Sequence, residues 1–346
     1  MNNEELVVGE ARFFHLVPDG GLAALPSLEA ALGALAADGY VWFDYVDPTR
    51  AQLVAFVGPL GIHSLSIEDC FDDQQVPKID LFPDNAFVLV NSYGYGENRL
   101  ATEEMDFFLG KNYLVSVRGG GSTRHGFHDR LDERVHQARD TVRKGPDFLL
   151  HTILDFAVDG KFGAIEALED DINVAEEAML ADAPAFDLQV LLHLRRTLLA
   201  LRKGLYHERE VLTKICRRDC PFVSEAAVYY FRDIYDHLAK FFELIEINRE
   251  IVTSLTEMYL SLINNQMARA ANRTNRTVRR LTLITTIFMP LTLIAGVGGM
   301  SEWSMMTGPQ NWRIAYPAFI AGMAVIGLIN FLLLRWIESR HPDRPE

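Results

Sequence analysis

The chain has 346 residues, 33 basic against 47 acidic, for a net charge of −14. A balance this acidic argues against a nucleic-acid binder, and three cysteines (Cys70, Cys216, Cys220) are too few for a disulfide framework and suit a reducing compartment. The charge is uneven: from Met267 onward nine Arg and four acids make that part +5, so the residues before it hold −19. Met1–Glu10 is polar and acidic and lacks the apolar core of a signal peptide.

In chain order, Arg12–Val17, Tyr40–Tyr45, Ala86–Tyr93, Glu103–Leu109 and Tyr113–Arg118 are short and rich in aromatic or β-branched residues, which predicts strands. Leu25–Ala37 and Arg50–Val57 read as helices, with Pro48 opening the second, and Gly94-Tyr-Gly96 as a turn. Together these give an α/β domain over residues 1–121 that ends at Gly119-Gly-Gly121. Long helical patterns follow over Asp147–Ala181, Asp187–Cys220 and Ser224–Val297, punctuated by Gly145-Pro146 and Ala183-Pro184. We divide them into a helical part (122–222) and a stalk helix (223–280) that continues into the apolar region. Cys216 and Cys220, four apart with His207 behind them, would share a helix face if that helix runs to Cys220. Buried apolar cysteines and a zinc site are both open for them.

Two charge-free stretches of 21 residues, Leu281–Ser301 and Ile314–Leu334, close the chain. At about 1.5 Å per residue each reaches roughly 30 Å, the hydrocarbon thickness of a bilayer. A short loop (302–313) joins them and a tail (335–346) follows. Arg269, Arg273, Arg276, Arg279 and Arg280 precede the first span, and Arg335, Arg340 and Arg344 follow the second. The positive-inside rule puts both termini in the cytoplasm and the loop outside.

The first span is not a plain anchor. Helical steps of three and four connect Asn275, Val278, Thr282, Thr285, Met289, Thr292, Gly296 and Gly299, a stripe of hydroxyls and small residues with one thioether. Leu283, Ile287, Leu291 and Ile294 lie on the opposite side and suit lipid. The stripe reads equally as the lining of a water-filled lumen or as helix–helix glue. One hairpin encloses nothing, so a lumen requires several copies around an axis.

Thr286-Ile-Phe-Met-Pro-Leu-Thr-Leu-Ile-Ala-Gly296, then Gly299-Met300-Ser301, Trp312 and Tyr316-Pro317 resemble the CorA family of divalent-cation channels. So do Asn275-Arg-Thr-Val-Arg-Arg-Leu-Thr282, His63-Ser-Leu-Ser-Ile-Glu-Asp69, Gln75-Val-Pro-Lys78, Phe87-Val-Leu-Val90, Tyr230-Phe-Arg-Asp-Ile-Tyr-Asp-His237 and Met258-Tyr-Leu-Ser261. The resemblance implies a CorA-like funnel: an α/β cytoplasmic domain, long helices, and one helix continuing into the first of two C-terminal spans. It also implies a homopentamer in a bacterial inner membrane that carries Mg²⁺, with Zn²⁺ or Co²⁺ as alternatives and no cofactor. By motif match, Gly299, Met300 and Ser301 would form the outer ring, Thr292 and Thr285 inner polar rings, Met289 a hydrophobic collar and Asn275 the cytoplasmic ring. Glu68, Asp69, Asp233 and Glu257 would be regulatory metal ligands between neighbouring soluble domains.

Two departures stand out. The family signature ends in Asn where this chain has Ser301, and a hydroxyl offers a hydrated ion less than an amide does. Asn272-Arg-Thr274 is repeated at Asn275-Arg-Thr277, as if two helical turns had been inserted in phase. No enzyme is legible. Gly119-Gly-Gly121 lacks the Lys-Ser/Thr of a phosphate loop, and Glu68-Asp69 and Asp170-Asp171 read as solvated or helix-terminal acids. A ZntB-type zinc transporter and a non-conducting, metal-sensing membrane scaffold are the alternative readings.

Overall fold

The structure is a computed structural model that describes residues 9–17, 21–72, 75–96, 98–119, 124–298, 308 and 310–340. The chain forms two compact units, Met1–Tyr259 and Leu260–Glu346.

The first unit is built on one mixed sheet of seven strands: β1 (Glu10–Leu16), β2 (Leu22–Leu25), β3 (Tyr40–Val46), β4 (Lys78–Leu81), β5 (Ala86–Gly96), β6 (Arg99–Leu109) and β7 (Tyr113–Arg118). Their order is β2-β1-β3-β7-β6-β5-β4, and only β3 and β7 run parallel. Strand periodicity sorts the core into two layers. Tyr40 and Trp42 point to one face, with Val88, Val90, Met105 and Phe107. Val41, Phe43 and Tyr45 point to the other, with Phe87, Leu89, Phe108 and Val115.

Four short helices cover the second face: α1 (Leu28–Ala34), α2 (Arg50–Val54), α3 (Val57–Leu60) and α4 (Ser64–Asp69). The expected helix over Leu25–Ala37 is shorter because Leu25 pairs with Phe13 in β2 and Ser27 caps the helix, its hydroxyl accepting from Ala30 N at 3.2 Å. Thr49 rather than Pro48 opens α2, its N–H donating to Gln52 Oε1 at 2.7 Å. Gly94-Tyr-Gly96 is not a turn. All three pair with β6, and the chain reverses at Asn98, whose φ of 59° is left-handed.

On the first face lie α5 (Arg124–Gln137), α6 (Arg139–Val142), α7 (Pro146–Ala181), α8 (Leu188–Cys216) and the part of α9 (Glu225–Gly298) up to Tyr259. α7 starts where Gly145-Pro146 demands, with Pro at its first turn. The Asp147 carboxylate accepts from Ser224 N at 2.9 Å, tying this start to the approach of α9. α8 stops at Cys216, so Cys216 and Cys220 do not share a helix face. Cys220 is buried, and all three cysteines are free thiols.

Two buried ionic knots hold the first unit together, one joining strands β1, β3 and β7 and the other joining the sheet to helices. Asp44 accepts from Arg118 Nη2 at 2.7 and 2.6 Å, from Ser116 Oγ at 2.7 Å and from Arg12 Nη2 at 2.6 Å. Burial alone would raise the Asp44 pKa, but Arg118 and Arg12 outweigh it and hold the carboxyl below its usual range. Between β5, α7 and α8, Lys161 Nζ lies 3.2 Å from Glu208 Oε2 and donates to the Asn91 carbonyl, while Glu208 Oε1 accepts from Asn91 N at 3.1 Å.

The second unit holds the C-terminal part of α9 and α10 (Trp312–Arg340). α9 runs unbroken through the repeated Asn-Arg-Thr and through Pro290. Both helices are long and apolar enough to cross a membrane, with mean hydropathy 1.7 and 2.2 over their most apolar windows.

Candidate functional site

The hairpin is decided by what α10 covers. Along α9, Leu283, Ile287, Pro290, Leu291 and Ile294 are half-buried while their neighbours are exposed. Along α10 the half-buried residues are Ala315, Phe319, Met323, Gly327, Asn330 and Leu334. Gly327 lies against Leu291, whose Cδ1 would be 3.5 Å from a Cβ placed there. The face expected to meet lipid is therefore the face on which α10 packs. Close approach at a glycine is what helix pairs in a membrane use in place of a hydrophobic drive.

The opposite face is left open. Asn275, Val278, Thr282, Thr285, Thr292 and Gly296 are exposed, and Met289 is 72 % exposed. Glue within the hairpin is thereby removed as the reason for this stripe. Each threonine donates its hydroxyl proton to the carbonyl four residues back: Thr282 to Val278 and Thr285 to Leu281 at 2.9 Å, Thr292 to Phe288 at 2.8 Å. That leaves oxygen lone pairs as the outward chemistry. A hydrated dication turns its water protons outward, so a surface of acceptors is the complementary one. Gly299, Met300 and Ser301 lie outside the described residues.

The acids singled out in the soluble unit do not meet within the chain. Glu68 and Asp69 end α4; Asp233 and Glu257 are exposed on α9. Among the described residues no three His, Cys, Asp or Glu are grouped to hold a metal. Asp69 is held by Lys78 Nζ at 2.7 Å, which also lies 3.8 Å from Asp80. Beside this pair is an acid that the sequence reading missed: Asp106 is 3 % exposed and its Oδ1 has no partner. Burial, then the nearby Glu104, push its carboxyl well above the usual range. Lys78 is set against the carboxylates of both Asp69 and Asp80 in this corner. His151, also missed, is buried among Tyr230, Phe231 and Asp155, and burial lowers its pKa. No motif marks either residue; each becomes visible only once α7 and β6 are packed.

The family described as "CorA-like Mg2+ transporter protein" matches residues 37–336. The chain belongs to the CorA family. It is similar to the cobalt/magnesium transport protein CorA of Thermotoga maritima, 34 % identical over 293 residues, 83 % of this chain and 80 % of that one. A putative metal ion transporter of Bacillus subtilis, YfjQ, is 32 % identical and aligned over 86 % of this chain and 90 % of its own. In fold, the chain matches the complete CorA magnesium transporter of Methanocaldococcus jannaschii with a TM-score of 0.68 at 24 % identity, covering 95 % of this chain and 98 % of that one. It matches the full-length CmaX protein at 0.63 and 19 % identity, covering 94 % and 97 %. The α/β soluble part, the long helix and the apolar C-terminal helices are thus a CorA fold, and this CorA chain is a membrane transporter of divalent cations.

Proposed function

We propose that several copies of this chain, five by family resemblance, surround a pore lined by the Asn275–Gly296 stripe of α9, and that the pore conducts hydrated Mg²⁺. The observation that carries the reading is the uncovered stripe: α10 packs on the face opposite, so hydroxyl oxygens and one Met are left for an axis or for other copies. Mg²⁺ gives up its waters reluctantly, and acceptors spaced along a helix suit an ion that keeps them. Thr292 and Thr285 form polar rings, Met289 the hydrophobic collar, and Asn275 the cytoplasmic ring, with Gly299, Met300 and Ser301 at the outer mouth. Both termini lie in the cytoplasm, because eight arginines flank the ends of the two spans remote from the loop and one, Arg313, lies at the loop's edge. The acidic soluble part raises cation concentration near the inner mouth.

Tracer uptake of Mg²⁺, Zn²⁺ and Co²⁺ into proteoliposomes of the purified chain tests this. Uptake of Mg²⁺ that saturates and is inhibited by the other two is expected; no uptake of any of them removes the conducting reading. Zinc is the second ion in this reading because Ser301 replaces the Asn of the magnesium signature, and because a ZntB cytoplasmic domain of Vibrio parahaemolyticus shares the soluble fold with a TM-score of 0.56 at 12 % identity.

A further inference from the structure

The arginines before the first span are ordered on the helix. Arg269, Arg273, Arg276 and Arg280 follow one another in steps of four, three and four, and the same steps continue into Leu283, Ile287, Leu291 and Ile294. At 3.6 residues per turn all eight fall within about 80° of arc, on the side of α9 away from the acceptor stripe. One face therefore changes from guanidinium to aliphatic between Arg280 and Leu283. α10 packs on the aliphatic part, with Gly327 at the level of Leu291. Counting down the returning helix from that contact, Arg335 is level with Leu283 and Trp336 with Thr282. Arg276, Arg280 and Arg335 are exposed, and Trp336 is 52 % exposed. Two helices thus put arginines and an indole into one layer about 10 Å thick, at the edge of the apolar spans. That is the thickness and chemistry of a headgroup region, with the aromatic where interfacial aromatics sit.

We propose that this layer, Arg276, Arg280 and Arg335 at the level of Trp336, is a binding surface for the headgroups of anionic phospholipids in the leaflet that α9 enters. A charge rule for orientation asks only for arginines near the span. It does not ask that they share one face of the helix, nor that a second helix supply another at the same height. Depth separates the members. Arg280 is one step from Leu281, Arg276 about 8 Å from it and Arg269 about 18 Å. With a screening length of about 8 Å at physiological salt, Arg276 and Arg280 reach lipid phosphate and Arg269 does not. The proposal rests on the membrane placement of the hairpin, not on conduction.

The test uses the full chain carrying Trp303→Phe and Trp312→Phe, reconstituted in phosphatidylcholine vesicles. Brominated phosphatidylglycerol or brominated phosphatidylcholine is added, and quenching of Trp336 reads the local lipid. An anionic lipid gains about fivefold per arginine at the surface, so bromo-phosphatidylglycerol is expected to quench at several-fold lower mole fraction. Arg276→Gln with Arg280→Gln should reduce that preference at least fivefold, while Arg269→Gln should change it less than twofold. Should the double variant fail to assemble, a salt series on the parent chain decides: preference falling steeply toward 1 M NaCl supports the surface, and preference unchanged there overturns it. Equal quenching by the two lipids, or an effect of Arg269→Gln as large as that of the double variant, also overturns it. Mg²⁺ uptake in the same vesicles keeps the readings apart, since uptake with no lipid preference removes this surface alone.

Discussion

Leu291 and Gly327 touch where the two spans cross: a Cβ on Gly327 would lie 3.5 Å from Leu291 Cδ1 and 3.9 Å from its Cδ2. Those are ordinary van der Waals distances, so the spacing admits a methyl group and nothing larger. Gly327→Ala is expected to leave the oligomer intact by light scattering in detergent. Gly327→Leu must push α10 away, at about 1–3 kcal/mol for an overpacked contact, and should weaken assembly. An intact oligomer with Gly327→Leu would mean that the helices do not pack here.

Because that contact turns the threonines away from α10, their role can be tested without disturbing the hairpin. Thr292→Val and Thr285→Val remove an acceptor at nearly constant volume and free one backbone carbonyl, at Phe288 and Leu281 respectively. Each is expected to lower Mg²⁺ uptake several-fold with the oligomer unchanged. Met289→Ala should increase leak by widening a hydrophobic constriction. Loss of the oligomer with flux per assembled complex unchanged would make the stripe a packing surface between copies.

Much of this fold was legible in the sequence, for reasons that name themselves. The five expected strands are present because each alternates large apolar residues over two faces, as Tyr40 and Trp42 do against Val41 and Phe43. α7 and α9 begin within a residue of the expected positions because Gly145-Pro146 and Ser224 are strong local signals. The strands β2 and β4 and the helix α4 are each six residues or fewer and carry no periodicity of their own. Their structure comes from the sheet edge or face beside them. From sequence, Leu283 and its helical neighbours read as lipid-facing, because a hydrophobic stripe in a span looks the same against lipid and against another apolar helix. Half-burial is what separates the two. Asp106 and His151 were illegible because their burial is a property of packing, not of pattern.

By the resemblance, Ser301 stands where the family signature has Asn. Ser301→Asn adds a longer amide at the outer mouth and is expected to shift the ratio of Mg²⁺ to Zn²⁺ uptake. The measurement is competitive tracer flux in the purified variant. An unchanged ratio would leave selection to the backbone carbonyls of Gly299 and Met300.

Asp44 predicts the acid limit of the soluble unit. Its folded pKa lies below the ordinary 3.8 because Arg118 and Arg12 favour the carboxylate. A depressed carboxyl contributes stability that is complete above the unfolded value and is lost as pH falls through the folded one. Unfolding of the full chain followed by near-ultraviolet circular dichroism should therefore show this loss below about pH 4. Asp44→Asn leaves Arg118, 1 % exposed, without its countercharge. It should cost about 3–5 kcal/mol at neutral pH and flatten the acid dependence.

The last prediction concerns control by cytoplasmic metal. Asp69 faces Lys78 at 2.7 Å, and Asp233 is exposed on α9. If a divalent ion from the cytoplasm holds neighbouring soluble domains together, it has to compete with that ammonium for the Asp69 carboxylate. The bias toward the closed state is then the ion's differential affinity for the two arrangements. Lys78→Met removes the competitor and leaves the acids of this corner less compensated. Protection from proteolysis should accordingly appear at lower Mg²⁺ or Zn²⁺ in Lys78→Met, by tenfold or so if the displaced pair is worth about 1.4 kcal/mol. Asp69→Ala with Asp233→Ala should abolish the protection and raise flux at high internal metal. Glu68→Ala and Glu257→Ala, both exposed in the single chain, should produce smaller shifts of the same sign. If the parent chain is cut at the same rate in chelator and in millimolar metal, no such site operates. If Lys78→Met needs more metal rather than less, Lys78 orients Asp69 instead of competing for it.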